Sequence, residues 1–202
     1  MLTETECERI AGAIRDAESR TAGEIVVVVA AQSSAYRSIA LLYALLGALV
    51  TPWPLIWATN FSVSRIAMVQ LGVALALTLI LSQPKLRFAL VPNAVKRARC
   101  RELAARQFTG RGLTRTQGRT GVLLFASAAE RYAEVVADEG IAALVDEHAW
   151  RDIIAALVES IREGRAADGI ILAVRRIGQI LAERVPPHDE DADELPNKVI
   201  LI

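Results

Sequence analysis

The chain has 202 residues, with 23 basic and 23 acidic side chains and a formal net charge of zero. That length bounds one domain with an appendage, yet the mean hydropathy of +0.33 is high for a soluble protein. The charges are unevenly placed: residues 38–64 and 66–84 hold no Asp, Glu, Lys or Arg, with Arg65 alone between them, which excludes a uniformly soluble domain.

The start, MLTETECERI, has no basic segment followed by an apolar one and does not read as a signal peptide, so the first segment is expected to stay where it is made. Thr3 and Thr5, each three residues before a glutamate, are candidate capping boxes. Ile10, Ile14 and Ala17 then recur at helical spacing, and Thr21-Ala22-Gly23 breaks that helix. Residues 24–31, EIVVVVAA, form a β-branched run that predicts a strand buried on both faces.

Next comes the uncharged block. A bilayer core about 30 Å thick needs roughly 20 apolar helical residues; residues 39–57 supply one span and 63–81 a second. Trp53, Trp57 and Phe61 lie between them as an interfacial aromatic belt, and Arg65 can snorkel at the mouth of the second span. Pro52 and Pro54 are expected to end or kink the first helix. Beyond the second span, Lys85 and Arg87 open a run of ten basic residues through Arg119, against the single acid Glu102. Basic flanks remain inside, so both termini are expected on the cytoplasmic side of the cytoplasmic membrane. The run is expected to contact anionic lipid rather than nucleic acid. Gly47 and Gly72 offer small surfaces on which a homo-oligomer could pack.

The chain returns at Pro84. A helix is predicted from Asn93, with Cys100, Leu103, Ala104 and Phe108 on one face, ended by Gly110 and Gly112. Strands follow at 121–127 and 131–138, then a short helix at 141–148. A helix carrying Trp150, Ile153, Leu157 and Ile161 is punctuated by Gly164, and a last helix is ended by Pro186-Pro187. Residues 186–202 form an acidic, then apolar tail whose end is placed as an edge strand or a surface segment. This order predicts an α/β protein: a discontinuous domain, 1–37 and 85–202, with a hairpin at 38–84 inserted after its first strand.

Three patterns are set aside. Cys100 and Arg106 have the C-x5-R spacing of cysteine phosphatases, but the intervening Arg-Glu-Leu-Ala-Ala is helical and lacks glycine. Asp189-x-Asp191-x-Asp193 resembles a calcium loop, but Glu194 stands where its glycine belongs. His148 and His188 have no patterned nucleophile, and His148 is expected near a helix end where a cation is favourable. Cys7 and Cys100 have no metal-ligand spacing and read as reduced structural thiols. The carboxylates left as site candidates are Glu130, Asp138, Glu139 and Asp168. With water they suit Ca²⁺ or Mg²⁺; the competing reading is that Asp138, Glu139 and Asp168 cap helices.

Several stretches taken in order carry a family resemblance. They are the nine residues from Thr21, the nine from Arg119, Glu130 through Ile141, Gly164 through Ile170, and Asp193 through Ile200. Together they resemble the TPM-domain family, in particular bacterial members with an inserted hydrophobic hairpin. The resemblance implies a three-layer α/β/α sandwich. It also implies either acid-phosphatase chemistry, with metal held by acidic residues, or a part in the assembly or repair of membrane complexes. Where the family carries a glycine-rich Gly-Tyr-Gly-Leu-Glu turn, this chain has Asp138-Glu139-Gly140-Ile141. With no nucleophile, base or cofactor loop in view, the chain is expected to be a membrane-anchored interaction or assembly factor; a metal-dependent phosphatase and a pore component are the alternatives.

Overall fold

The structure is a computed structural model; it describes residues 2–187 and 196–202. Two compact units are present, one made of residues up to Ser33 and from Arg97 onward, the other of Ser34–Lys96. His188, Asp189, Asp191, Asp193 and Glu194 lie outside the described residues.

The first unit is built on a four-stranded sheet with the order β3-β2-β1-β4. Strand β1 (Glu24–Ala30) is central, because Ile25 and the four valines after it form an apolar run that favours cover on both faces. It pairs in parallel with β2 (Gly121–Ser127), Glu24 opposite Gly121 and Ala30 opposite Ser127. On its other side it pairs in parallel with β4 (Val199–Leu201), so the apolar end of the tail does add an edge strand. Strand β3 (Tyr132–Ala137) is antiparallel to β2, joined by a four-residue turn in which Arg131 has φ of 49°.

Side chains alternate across this sheet. Ile25, Val27, Val122, Leu124 and Ala126 face α1 (Glu4–Glu18), α8 (Glu147–Arg162) and α9 (Ala166–Arg184). Val26, Val28, Leu123 and Phe125 face α6 (Asn93–Gly110), whose Cys100, Ala104 and Phe108 are buried at four-residue intervals. The expected α/β/α sandwich is thus present. Helix α1 starts on the predicted capping box: the Thr3 hydroxyl accepts from the Glu6 N–H at 3.3 Å, and Glu6 Oε2 accepts from the Thr3 N–H at 2.7 Å. Helices α1 and α9 meet at Gly178, where an added Cβ would lie 2.6 Å from that of Ala17.

Two local expectations shift. The helix predicted at 141–148 is divided: α7 spans Glu139–Ala142, and α8 begins afresh because Asp146 caps it, accepting the His148 N–H at 2.9 Å. His148 therefore sits in a first helical turn, where the dipole disfavours a cation.

The second unit is a helical hairpin. Helix α2 (Arg37–Val50) runs into α3 (Pro52–Ala58), and α4 (Val63–Ser82) returns. The break expected at Pro52 and Pro54 is present: α2 ends at Val50 and Pro52 opens α3. Thr51 keeps right-handed helical dihedrals and donates both N–H and Oγ1 to the Gly47 carbonyl, at 3.2 and 2.8 Å. The path from Arg37 to Ala58 spans 22 residues and α4 spans 20, each long and apolar enough to cross a membrane. Their contact is made by small residues: Ala40 and Ala44 pack with Leu81, Tyr43 and Leu77. A Cβ on Gly47 would meet Leu77 Cδ1 at 2.5 Å, so Gly47 is consumed within the hairpin, whereas Gly72 has open space around it. A further short helix, α5 (Pro84–Leu90), completes the unit.

Candidate functional site

The parallel strands β1 and β2 end together, at Ala30 and Ser127, and the loops beyond them carry polar groups. Glu130, in the β2–β3 turn, is half-buried there. Its Oε1 accepts from Ser33 N–H at 3.1 Å and from Ser33 Oγ at 2.7 Å, and its Oε2 accepts from Ser127 Oγ. Ser33 is the last residue before the hairpin unit, so this carboxylate fastens the chain where it leaves the sheet. Buried beside it is the Cys100 thiol. Burial raises its pKa, with the charges of Glu130 and Glu134 adding to that, while hydrogen bonds with Ser33 and Ser127 oppose it. Such a thiol stays protonated at neutral pH and is a poor nucleophile. The C-x5-R pattern fails on the same ground: Arg106 lies exposed on α6, paired with Glu102 at 2.5 Å.

Next to this cluster, the Tyr132 hydroxyl donates to Glu134 Oε2 at 2.9 Å. Burial is the first cause that pushes the Tyr132 pKa up to about 12; the Glu134 carboxylate adds to it, and Arg101 works against it.

Asp138 lies at the opposite end of the sheet, because β3 runs against its neighbours. Its N–H donates to the Gly121 carbonyl at 2.9 Å, and Oδ1 caps α7 by accepting the Glu139 N–H at 2.9 Å. Asp138 is 7% exposed, and its Oδ2 is buried without a hydrogen-bond partner among the described residues. Glu139 points to solvent and pairs with Arg119. Asp168 occupies the first turn of α9 and pairs with Arg9 of α1 at 2.7 Å. It lines an open groove of about 440 Å³ whose other charged residues, Arg9, Asp16 and Arg175, alternate in sign. Val185, just past the far end of α9, bonds Thr21 and Ala22 next to the start of β1. Asp168 is therefore about 25 Å of helix away from the end of the sheet that holds Asp138.

The four predicted carboxylates thus occupy three separate places. Asp138 and Glu139 are neighbours whose side chains diverge; Glu130 and Asp168 stand apart from them. Among the described residues, no three His, Cys, Asp or Glu side chains group closely enough to hold a metal ion. The described carboxylates do not fit a shared Ca²⁺ or Mg²⁺ centre. Ser33 and Ser127 escaped the sequence reading, whereas Cys100 reads there as a structural thiol on the face of its helix. Ser127 three residues before Glu130 was a local signal, but Ser33 is 97 residues from Glu130 and is brought to it only by the parallel pairing of β1 with β2.

Architecture and polar groups together define an α/β/α sandwich domain with a helical hairpin inserted after its first strand. The TPM-domain family profile matches residues 82–180, from the end of α4 into α9, and that stretch is a TPM domain. The NMR structure of the BA42 protein from the psychrophilic bacterium Bizionia argentinensis has the same fold. It superposes with a TM-score of 0.62 at 19% identity, covering 100% of this chain and 96% of that one. No curated protein matches the chain.

Proposed function

We propose that this is a membrane-anchored TPM-domain protein that acts as an interaction or assembly factor at the cytoplasmic membrane. The observation that carries the reading is the outer surface of the hairpin. Leu45, Leu49, Met68, Leu71, Leu75 and Leu79 are all more than 60% exposed, and they continue into Trp53 and Trp57 at the tip. An apolar surface of this extent is untenable in water and ordinary against lipid. Cations gather at the other end of the hairpin, Arg37 at the start of α2 and Lys85 and Arg87 on α5, against Arg65 alone near the tip. The positive-inside rule then leaves both flanking chain segments in the cytoplasm.

Such a factor works by binding rather than by chemistry. Full-length protein extracted in mild detergent is expected to co-purify with a membrane complex, and Asp138→Asn, Glu139→Gln and Asp168→Asn together are expected to leave that association intact. Loss of the association in the triple variant, with folding unchanged, would refute it. The alternative, a metal-dependent hydrolase, has only the spare oxygen of buried Asp138 to draw on among the described carboxylates. That reading requires phosphate release from phosphoesters by the purified protein, abolished by EDTA and by Asp138→Asn.

A further inference from the structure

The chain does not run straight from the second long helix of the hairpin into α6. The α4 ladder stops with the Gln83 N–H donating to the Ile80 carbonyl at 3.3 Å. Gln83 itself is extended, with φ of −64° and ψ of 125°, and Pro84 begins α5 without an amide proton to continue the ladder. Helix α5 is therefore a separate element. Seven residues do not make a helix that stands unaided in water, and α5 is held by its inward side. The Phe88 ring meets Tyr36 edge-on, with centroids 5.9 Å apart, and Lys96 Nζ sits 4.0 Å from the Phe88 centroid on the other hand. Tyr36 is only 3% exposed, so this aromatic pair is the fixed point of the hairpin base.

The outward side of α5 is apolar. Leu86 is 44% and Leu90 48% exposed, and Ala89 is exposed between them; positions i, i+3 and i+4 share one helix face. Beside that stripe stand the exposed Lys85 and the half-buried Arg87, with Arg37 exposed at the start of α2. A short apolar face flanked by cations, with no acid between Ser38 and Arg101, matches the boundary between acyl chains and anionic headgroups.

We propose that α5 is an interfacial foot that lies in the headgroup layer of the bilayer crossed by the hairpin. Leu86, Ala89 and Leu90 dip to the acyl boundary, while Lys85 and Arg87 extend along the apolar surface to lipid phosphates. The foot sets the depth of the hairpin and makes its seating depend on anionic lipid. This inference rests on the membrane reading above, and one experiment separates the two. Full-length protein carrying Cys7→Ser and Cys100→Ala is labelled with an environment-sensitive fluorophore at Leu75→Cys, Leu86→Cys or Leu90→Cys. It is then placed in nanodiscs of phosphatidylcholine with phosphatidylglycerol. Nitroxide lipids quench at headgroup or mid-chain depth, and iodide quenches from water. Mid-chain quenching at position 75, with headgroup quenching severalfold stronger than mid-chain quenching at 86 and 90, is expected. Mid-chain quenching at 75 with iodide quenching alone at 86 and 90 would overturn the foot and leave the span standing. Mid-chain quenching at all three positions would also overturn it, by making α5 part of a span. No lipid quenching at 75 would overturn the membrane reading and the foot with it.

Discussion

The domain and the hairpin use the same apolar residue types in opposite senses. In the sandwich, Leu123, Leu124, Phe125, Leu157 and Leu181 are at most 1% exposed, and the surface is charged. In the hairpin, the small residues Ala40, Ala44, Ala48 and Gly47 are inside, while Leu41, Leu45, Leu49, Leu71 and Leu75 point out. Burial in the domain follows the cost of wetting large side chains. In the hairpin the helices instead meet through their small residues, as they do where the surroundings are as apolar as leucine and close backbone approach is what remains to be gained. One chain thus carries two packing schemes, and on the proposed membrane anchoring each suits its own solvent.

The contrast can be broken at either half. Leu124→Ala, in the centre of the sheet, is expected to destabilise the domain by about 2–5 kcal/mol, read by urea denaturation of the detergent-solubilised protein. Were the domain core loosely built, the loss would fall well below that range. Leu75→Arg puts a charge at the middle of α4, a penalty of about 2.5–3.5 kcal/mol for membrane insertion; the fraction of protein recovered in alkali-washed membranes should drop. A membrane fraction unchanged by this substitution would mean that Leu75 never meets lipid. Within the hairpin, Gly47→Val is expected to cost about 1 kcal/mol by displacing the end of the Leu77 side chain. Gly72→Val, in open space, is expected to be close to neutral, the two variants being compared by thermal unfolding in detergent. Equal effects at the two glycines would contradict the packing described.

The smallest effect concerns pH. The Tyr132 pKa is raised from 10.0 to about 12, so its neutral form is favoured in the fold. The stabilisation is fully present below pH 10 and disappears as pH rises through 12. Absorbance at 295 nm, compared with Tyr132→Phe, should show a tyrosinate step near pH 12 that vanishes in the variant. A step near 10 would place the phenol in water.

The sequence exposed most of this fold because its elements carry strong local signals. The valine run at 26–29, the apolar run at 122–126 and the helix from Asn93 needed no tertiary information. The division between α7 and α8 was hidden because Asp146 and the residues around it read equally well as helix surface, and only its cap to His148 marks the restart. Helix α5 was hidden by its length: seven residues show no period. The polar features were less legible. Asp138, Glu139 and Asp168 were identified as acids near helix starts, which they are, but their separation depends on β3 running antiparallel. The Ser33–Glu130–Ser127 cluster needs strand register across 97 residues, which no spacing rule supplies.

The most direct test of the whole account is the sidedness of the hairpin. Single cysteines at Ala58, near the tip, and at Glu183, on the domain, would be introduced into full-length protein carrying Cys7→Ser and Cys100→Ala. Both would be challenged in intact bacterial spheroplasts with a membrane-impermeant maleimide. The account predicts labelling at position 58 in intact spheroplasts and at position 183 only after permeabilisation. Labelling at 183 with protection at 58, or recovery of the protein outside the membrane fraction, would contradict it.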